Sequence, residues 1–252
     1  MSSERRYERA IEKIFQKYYR EGIDYFEFHK DELIAVCTEL GITIRNIPDI
    51  IYAFRGRREL PAAIAVTGHW AIESAGTNAY AFRKLNNPAQ FVVSFADYAP
   101  IEIYNAIPEV VEGLLRQDEQ SLLTRILYNR LVDIFCGLTC FHIQNHYRSN
   151  VHRVGQVELD ALYVGVNSAG ELFVIPIEAK SQSESEMIGR VQISQMAKLV
   201  RQDFPDLQRR LLAVKILGDG TIGVVEFDDR IEPDDFGIVA VRRYRLIRRH
   251  SL

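Results

Sequence analysis

The chain has 252 residues, of which 47% are hydrophobic, so it can bury the core of one large domain or of two smaller ones. Its formal net charge of −3 excludes a uniformly basic surface but leaves room for a local one. No apolar segment reaches the roughly 20 residues that span a bilayer, the N-terminus lacks the apolar core of a secretory signal, and three cysteines argue against a disulfide framework. We therefore expect a cytoplasmic enzyme with no membrane partner.

The N-terminal third predicts a succession of short elements. Apolar periodicity and turn residues place them as a helix over 4–20, a strand over 25–28, helices over 30–40 and from Asn46 onward, and extended segments over 65–72 and 79–85. This order of helix, strand, helix, helix and hairpin is typical of a winged-helix module, whose third helix enters the DNA major groove. We therefore predict a winged-helix-like DNA-binding module.

Basic residues near the third helix and the hairpin are the best placed to contact DNA. They are Arg45, Arg55, Arg57, Arg58 and Lys84. Contacts to phosphate would anchor such a module, and one or two bidentate contacts would read guanine. The alternative is a helical subdomain that covers the rest of the protein or forms a dimer interface.

Proline-containing pairs interrupt regular structure between residues 86 and 108, and we place the domain boundary there. The predicted domains are 1–98 and 99–252. The second opens with a predicted helix over 117–137, whose broad apolar surface should pack on a sheet. Glu119 lies in its first turn, where an acid is favourably placed near a helix N-terminus without any catalytic role.

Two apolar, strand-like runs over 155–165 and 172–180 flank a turn-forming segment and predict a β-hairpin. The hairpin brings Asp160 toward Glu178. Side chains alternate faces along a strand, so Glu178 and Lys180 point the same way. Two carboxylates and an ammonium are therefore expected to converge. The alternative is a surface hairpin whose charged residues are merely solvated neighbours.

This trio suits the hydrolysis of a phosphodiester. Mg²⁺ prefers oxygen ligands and is usually held by one or two carboxylates together with substrate phosphate, so Asp160 and Glu178 are candidate ligands, with Mn²⁺ as a substitute. Ala179 and Glu158 complete the candidate metal ligands, and Glu158 has the alternative of pairing with an arginine. Lys180 would orient water or offset charge, or transfer a proton if its pKa is lowered by burial.

The acids and the lysine match the PD-(D/E)xK pattern, and this segment resembles the catalytic core of the restriction-endonuclease-like superfamily. The stretch 118–165 is also similar to a group of type II restriction endonucleases, through the run from Glu119, the run Gln144–Arg148 and the Gly-Gln-Val-Glu-x-Asp strand. The resemblance implies an α/β (α+β) fold with a mixed sheet flanked by helices. It also implies a catalytic polar residue on the helix after Lys180, for which we choose Gln192, and an additional acid on the helix before the hairpin, for which Glu119 is the catalytic candidate.

The activity that this resemblance implies is sequence-specific cleavage of double-stranded DNA by a homodimer, with a companion DNA methyltransferase. A structure-specific repair or junction nuclease and a catalytically inactive DNA-binding protein are the alternatives.

Two features of the C-terminal half bear on this interpretation. A cluster of arginines near the C-terminus, including Arg242 and Arg243, is a further candidate for phosphate contact, with a solvated tail as the alternative. Pro176 removes a ladder donor two residues before Glu178 and predicts an edge or a bulge in that strand. A helix ending near Asp203 and strands over 211–216, 221–226 and 238–246 complete the expected core.

Overall fold

Two β-sheets with helices packed on them organise the chain. The computed structural model describes residues 3–43, 46–183 and 187–248. Within these residues no helix is both long and apolar enough to cross a membrane.

The N-terminal part is a three-stranded antiparallel sheet with strand order β1-β3-β2 and helices on one side. Its elements are α1 Ser3–Tyr18, β1 Tyr25–His29, α2 Lys30–Glu39, α3 Pro48–Tyr52, a π-helical turn Ala53–Arg57, α4 Ala62–Ala65, β2 His69–Gly76 and β3 Ala79–Leu85. The Phe15 ring meets the rings of Phe26, Trp70 and Phe82 edge-on at 5.1–5.5 Å between centroids. This aromatic cluster joins α1 to all three strands.

The predicted order of helix, strand, helix, helix and hairpin is present, but two details differ. The third helix has five residues and continues into the π-helical turn. The segment predicted as extended from residue 65 begins instead in α4 and a turn, and β2 starts at His69. Buried Ile64 anchors this turn, and the backbone N–H groups of Ile64, Ala65 and Val66 bond back to residues 61 and 62. The winged-helix assignment stays a prediction.

The C-terminal part is built on an eight-stranded mixed sheet of order β4-β11-β10-β9-β7-β6-β5, with β8 paired beside β7. Its elements are β4 Ile101–Tyr104, α5 Glu109–Glu112, α6 Glu119–Tyr128, α7 Leu131–Cys136, β5 Thr139–Val151, β6 Gly155–Val166, β7 Leu172–Lys180, α8 Arg190–Asp203, β8 Gln208–Arg209, β9 Leu211–Ile216, β10 Ile222–Phe227 and β11 Ile238–Ile247. β7 runs parallel to β8 and β9, and β11 parallel to β4, whereas the other pairs are antiparallel.

Helices cover both faces of the large sheet. On one face, α8 buries Ile193, Met196 and Val200 against the sheet. On the other face, α6 and α7 bury apolar side chains that include Leu122 and Leu131. The expected mixed sheet flanked by helices is therefore confirmed as an α+β architecture.

The single helix predicted over 117–137 is wrong, because α6 and α7 are separate helices. The chain breaks at Asn129 and at Arg130, whose backbone is left-handed with φ 51°. The buried amide of Asn129 accepts a hydrogen bond from the backbone N–H of Ala106 at 2.8 Å and donates one to the Arg125 carbonyl at 2.9 Å. These side-chain bonds compete with continued helix, and apolar periodicity alone does not reveal them.

The two parts of the chain meet where β3 ends. The carboxylate of Asp234 accepts the backbone N–H groups of Asn86 and Asn87 at 3.0–3.1 Å. Gln90 forms a β-bridge with Gly189, immediately before α8. These contacts hold the N-terminal part beside the start of α8, and this position matters for the site below.

Candidate active site

The candidate site forms where β6 and β7 separate. The antiparallel ladder between these strands ends at the pair Ala161 and Ile177, whereas β7 stays paired with β9 as far as Lys180. Asp160 is the next residue of β6, and its Oδ2 accepts the backbone N–H of Ala179 at 2.7 Å. The side chain of Asp160 therefore takes the place of a strand partner at this point.

Pro176 was expected to mark an edge or a bulge of β7, but β7 is paired on both sides and its register with β6 continues unbroken through Pro176. It lies between Val174, the last residue paired with β8, and Ile177, the first paired with β9. β7 is therefore a central strand, and the missing N–H donor falls where its parallel partner changes.

Glu178 on β7 accepts hydrogen bonds from two other residues of the site. Its Oε1 accepts hydrogen bonds from Nζ of Lys180 at 2.7 Å and from Nε2 of Gln192 at 2.8 Å. Gln192 stands in the first turn of α8, and its Oε1 accepts the backbone N–H of Gly189 at 3.2 Å. Since the side chains of Lys180 and Glu178 are only 8% and 13% exposed, this pair is held out of bulk water.

The surroundings of Asp160 oppose its ionisation. Burial and then the charge of Glu178 raise the pKa of Asp160 to about 8, despite the hydrogen bond from Ala179. Burial by itself would lower the pKa of Lys180, but the adjacent carboxylate of Glu178 outweighs it, so this pKa is raised. Lys180 is thus held as an ammonium, and the lowered pKa that a proton-transfer role would need is not found.

A cavity of about 590 Å³ opens in front of these residues. Residues of both parts of the chain line it: Tyr52, Arg55, Glu119, His146, Arg148, Gln156, Val157, Glu158, Asp160, Glu178, Lys180, Gln192 and Gln195. The structure therefore brings together all five predicted catalytic residues, and it adds an aromatic ring and two arginines.

The two remaining candidate acids differ in their surroundings. Glu119, at the start of α6, lines the cavity, and its charge contributes to the raised pKa of Asp160. Glu158 lies 2.7 Å from Nδ1 of His146 and accepts a 2.9 Å hydrogen bond from Nε of Arg148. The arginine pairing that was the alternative for Glu158 is thus present, and both of its oxygens are engaged.

The donor set fits a hard divalent cation. The described residues hold no group of three or more His, Cys, Asp or Glu side chains arranged for a metal ion by themselves. Mg²⁺ needs only one or two carboxylates, because water and substrate complete its coordination. A cation between Asp160 and Glu178 would offset the repulsion that raises the pKa of Asp160. Ala179 contributes its N–H to Asp160, and a role for it as a ligand stays a prediction.

The described basic residues of the N-terminal part that were predicted to contact DNA lie in different places. Arg55 points into the cavity. The guanidinium of Arg58 lies 5.9 Å from the Tyr7 ring, and Nζ of Lys84 lies 3.7 Å from Asp24. Arg45 and the side chain of Arg57 lie outside the described residues.

The C-terminal arginines lie away from the cavity. β11 is separated from β7 by β9 and β10 in the sheet. Arg243 donates to Oγ1 of Thr221 at 2.8 Å and to the carboxylate of Asp219, so it is engaged within the protein. Arg242 is exposed and its role in DNA contact stays a prediction.

Sequence reasoning missed Tyr52, Arg148 and Gln156 as members of the site. Tyr52 comes from the N-terminal part, and the other two come from β5 and β6. The spacing of Tyr52 and Arg55, one helical turn apart, was the only local signal that the two act together. Nothing in the sequence connected them to the hairpin.

Comparison of the chain with protein-family models, with curated proteins and with solved structures found no match.

Proposed function

We propose that this protein is a Mg²⁺-dependent endonuclease that hydrolyses phosphodiester bonds in double-stranded DNA. The observation that carries the proposal is the convergence of Asp160, Glu178 and Lys180 at the mouth of one cavity, where β6 and β7 part. The charge of Glu178 opposes the ionisation of Asp160, which favours a cation between them, and a buried ammonium beside them favours an anionic substrate.

Each side chain has a role that follows from its contacts. Asp160 and Glu178 would hold the metal, and bound Mg²⁺ would supply charge neutralisation at the phosphate and an activated water. Lys180 keeps its proton on Nζ and so presents positive charge to the phosphate oxygens. Gln192 fixes the carboxylate of Glu178 through a hydrogen bond, as outer partners of metal ligands do. Glu119 is proposed as a further acid of the site.

The finer proposal is a sequence-specific type II restriction enzyme. It is supported by the resemblance of the stretch 118–165 to such enzymes and by the position of the N-terminal part beside the cavity. A palindromic target would require a symmetric homodimer. A companion DNA methyltransferase belongs to the same proposal, since an unprotected host genome would be cut.

The first experiment incubates the purified chain with a large unmethylated viral DNA in Mg²⁺, beside Asp160→Asn. Asp206→Asn, at an exposed aspartate in the turn after α8, is the matched control. Discrete bands with the wild type and Asp206→Asn, and intact DNA with Asp160→Asn, are expected.

Other products would change the proposal in defined ways. Cleavage confined to branched DNA would favour a junction nuclease over a restriction enzyme. Wild-type cleavage by Asp160→Asn would refute the assignment of the site. Tight DNA binding without Mg²⁺-dependent cleavage of any substrate would favour an inactive DNA-binding protein.

A further inference from the structure

We infer that Arg55 binds a backbone phosphate of DNA inside the cavity, so that the bound strand passes between the π-helical turn and the separated ends of β6 and β7. The inference rests on the proposed nuclease function and deepens it. It gives the N-terminal part a direct share in the active site, beyond anchoring DNA at a distance.

The guanidinium of Arg55 is held in place by neutral acceptors. Its Nε donates to the carbonyl of Ile72 at 3.3 Å, and its Nη2 donates to Oγ of Ser74 at 2.8 Å. Nη1 donates to no acceptor among the described residues. Two anchors on β2 therefore fix the plane of the guanidinium and leave one edge directed to the cavity that it lines.

No carboxylate of the described part of the chain forms an ion pair with Arg55. The nearby acid Glu73 is already bound by Arg83, through Nε at 2.9 Å and Nη2 at 2.7 Å. Burial lowers the pKa of Arg55, because it removes water from around the charged guanidinium. A half-buried cation bonded only to neutral oxygens gains free energy when an external anion arrives.

A phosphate is the anion that this surrounding favours. Asp160 and Glu178 line the same cavity, so an isolated anion would be repelled unless a cation lay beside it. A phosphodiester can meet Arg55 through one oxygen while the rest of its charge faces the metal side. Arg148, the other arginine of the cavity, is already bonded to Glu158 at 2.9 Å.

The test compares Arg55→Gln and Arg55→Lys with Arg230→Gln in the full chain. Arg230 is 65% exposed in a loop outside the cavity, and it is the matched control. The affinity for a fluorescent random-sequence 20-base-pair duplex is measured by anisotropy in EDTA across a salt series, and cleavage is measured in Mg²⁺. Loss of one phosphate contact should reduce the slope of log K against log salt by about 0.9 in Arg55→Gln.

Arg55→Lys should keep the slope but cleave more slowly than the wild type, because lysine keeps the charge without the anchored planar fork. Arg55→Gln should lose at least about a hundredfold in cleavage. Arg230→Gln should match the wild type in both measurements.

An unchanged slope together with unchanged cleavage in Arg55→Gln would overturn the inference and leave the nuclease function standing. A reduced slope in Arg55→Gln, together with a wild type that cuts no DNA, would support the phosphate contact and refute the nuclease function. If Arg55→Gln does not fold, as judged by thermal melting, Ser74→Ala replaces it. That variant removes one anchor and should slow cleavage with the slope retained, and wild-type cleavage by it would overturn the inference.

Discussion

Oδ2 of Asp160 accepts the backbone N–H of Ala179 at 2.7 Å, just beyond Ala161 and Ile177, the last ladder pair of β6 and β7. In a continued antiparallel ladder, that N–H would bond to a backbone carbonyl of β6. The carboxylate replaces the carbonyl, and the two strands part around it. A single side chain therefore satisfies the donor exposed by the split and supplies the first acid of the site.

Asp160→Asn should change the pH dependence of stability in metal-free protein. The pKa of Asp160 is raised from 3.8 to about 8, so between these values the folded state keeps a proton that the unfolded state has lost. Stability contributed by this group is therefore full below its unfolded pKa and falls as pH rises through this window. Urea unfolding in EDTA should show the wild type losing stability relative to Asp160→Asn between pH 4.5 and pH 8.5. A difference that stays constant with pH would contradict the buried, repelled state of Asp160.

Mg²⁺ should stabilise the wild type and not Asp160→Asn. A ligand that binds only the folded state at about ten times its dissociation constant stabilises by about 1.4 kcal/mol. Thermal melting with and without Mg²⁺ measures this without any DNA. Equal stabilisation of both proteins would place the ion elsewhere.

Lys180→Gln should abolish cleavage while leaving DNA binding near the wild-type level. The ammonium is buried and donates to Glu178, so its loss removes positive charge from the reacting phosphate, and a reduction of at least about a hundredfold is expected. Lys13→Gln, an exposed lysine of α1 paired with Glu39, is the control. Single-turnover cleavage and anisotropy binding separate the two effects. Loss of binding equal to the loss of cleavage would instead assign Lys180 to affinity.

Gln192→Ala should lower the apparent affinity for Mg²⁺ in the cleavage reaction by about 10- to 100-fold, because Gln192 orients Glu178 without reaching the reaction itself. Titration of Mg²⁺ should show a higher half-saturating concentration and partial recovery of the rate at high Mg²⁺. A reduced rate with no change in the Mg²⁺ midpoint would mean that Gln192 acts in another way. Gln202→Ala, at the other end of α8, is the control.

Glu32→Gln should destabilise the N-terminal part at neutral pH by about 1.5 kcal/mol, the scale of a charged hydrogen bond. Burial raises the pKa of Glu32, but hydrogen bonds from Lys17, Tyr18 and the His29 backbone outweigh it and lower the pKa to about 2. The stabilisation is present above the unfolded value of 4.5 and is lost as pH falls through about 2. Urea unfolding at pH 7 and pH 2.5 measures the decline. Glu39→Gln, an exposed acid of the same helix, should change little.

The sequence by itself determined the elements that follow from local periodicity. Alternating side chains placed Glu178 and Lys180 on one face of β7, and the turn before this strand brought Asp160 to it. The helix ending near Asp203 and the strands over 211–216, 221–226 and 238–246 were predicted to within a few residues for the same reason. Backbone geometry forces these patterns over short distances.

Only the tertiary structure decided which groups share the cavity. The contacts that broke the predicted helix at Asn129 and paired Glu158 with Arg148 join residues from separate elements. Arg55 lines the same cavity as the carboxylates because Asp234, 148 residues from Asn86, ties the N-terminal part beside α8. Such contacts depend on packing between segments that are distant in the chain, and the local spacing of residues does not predict them.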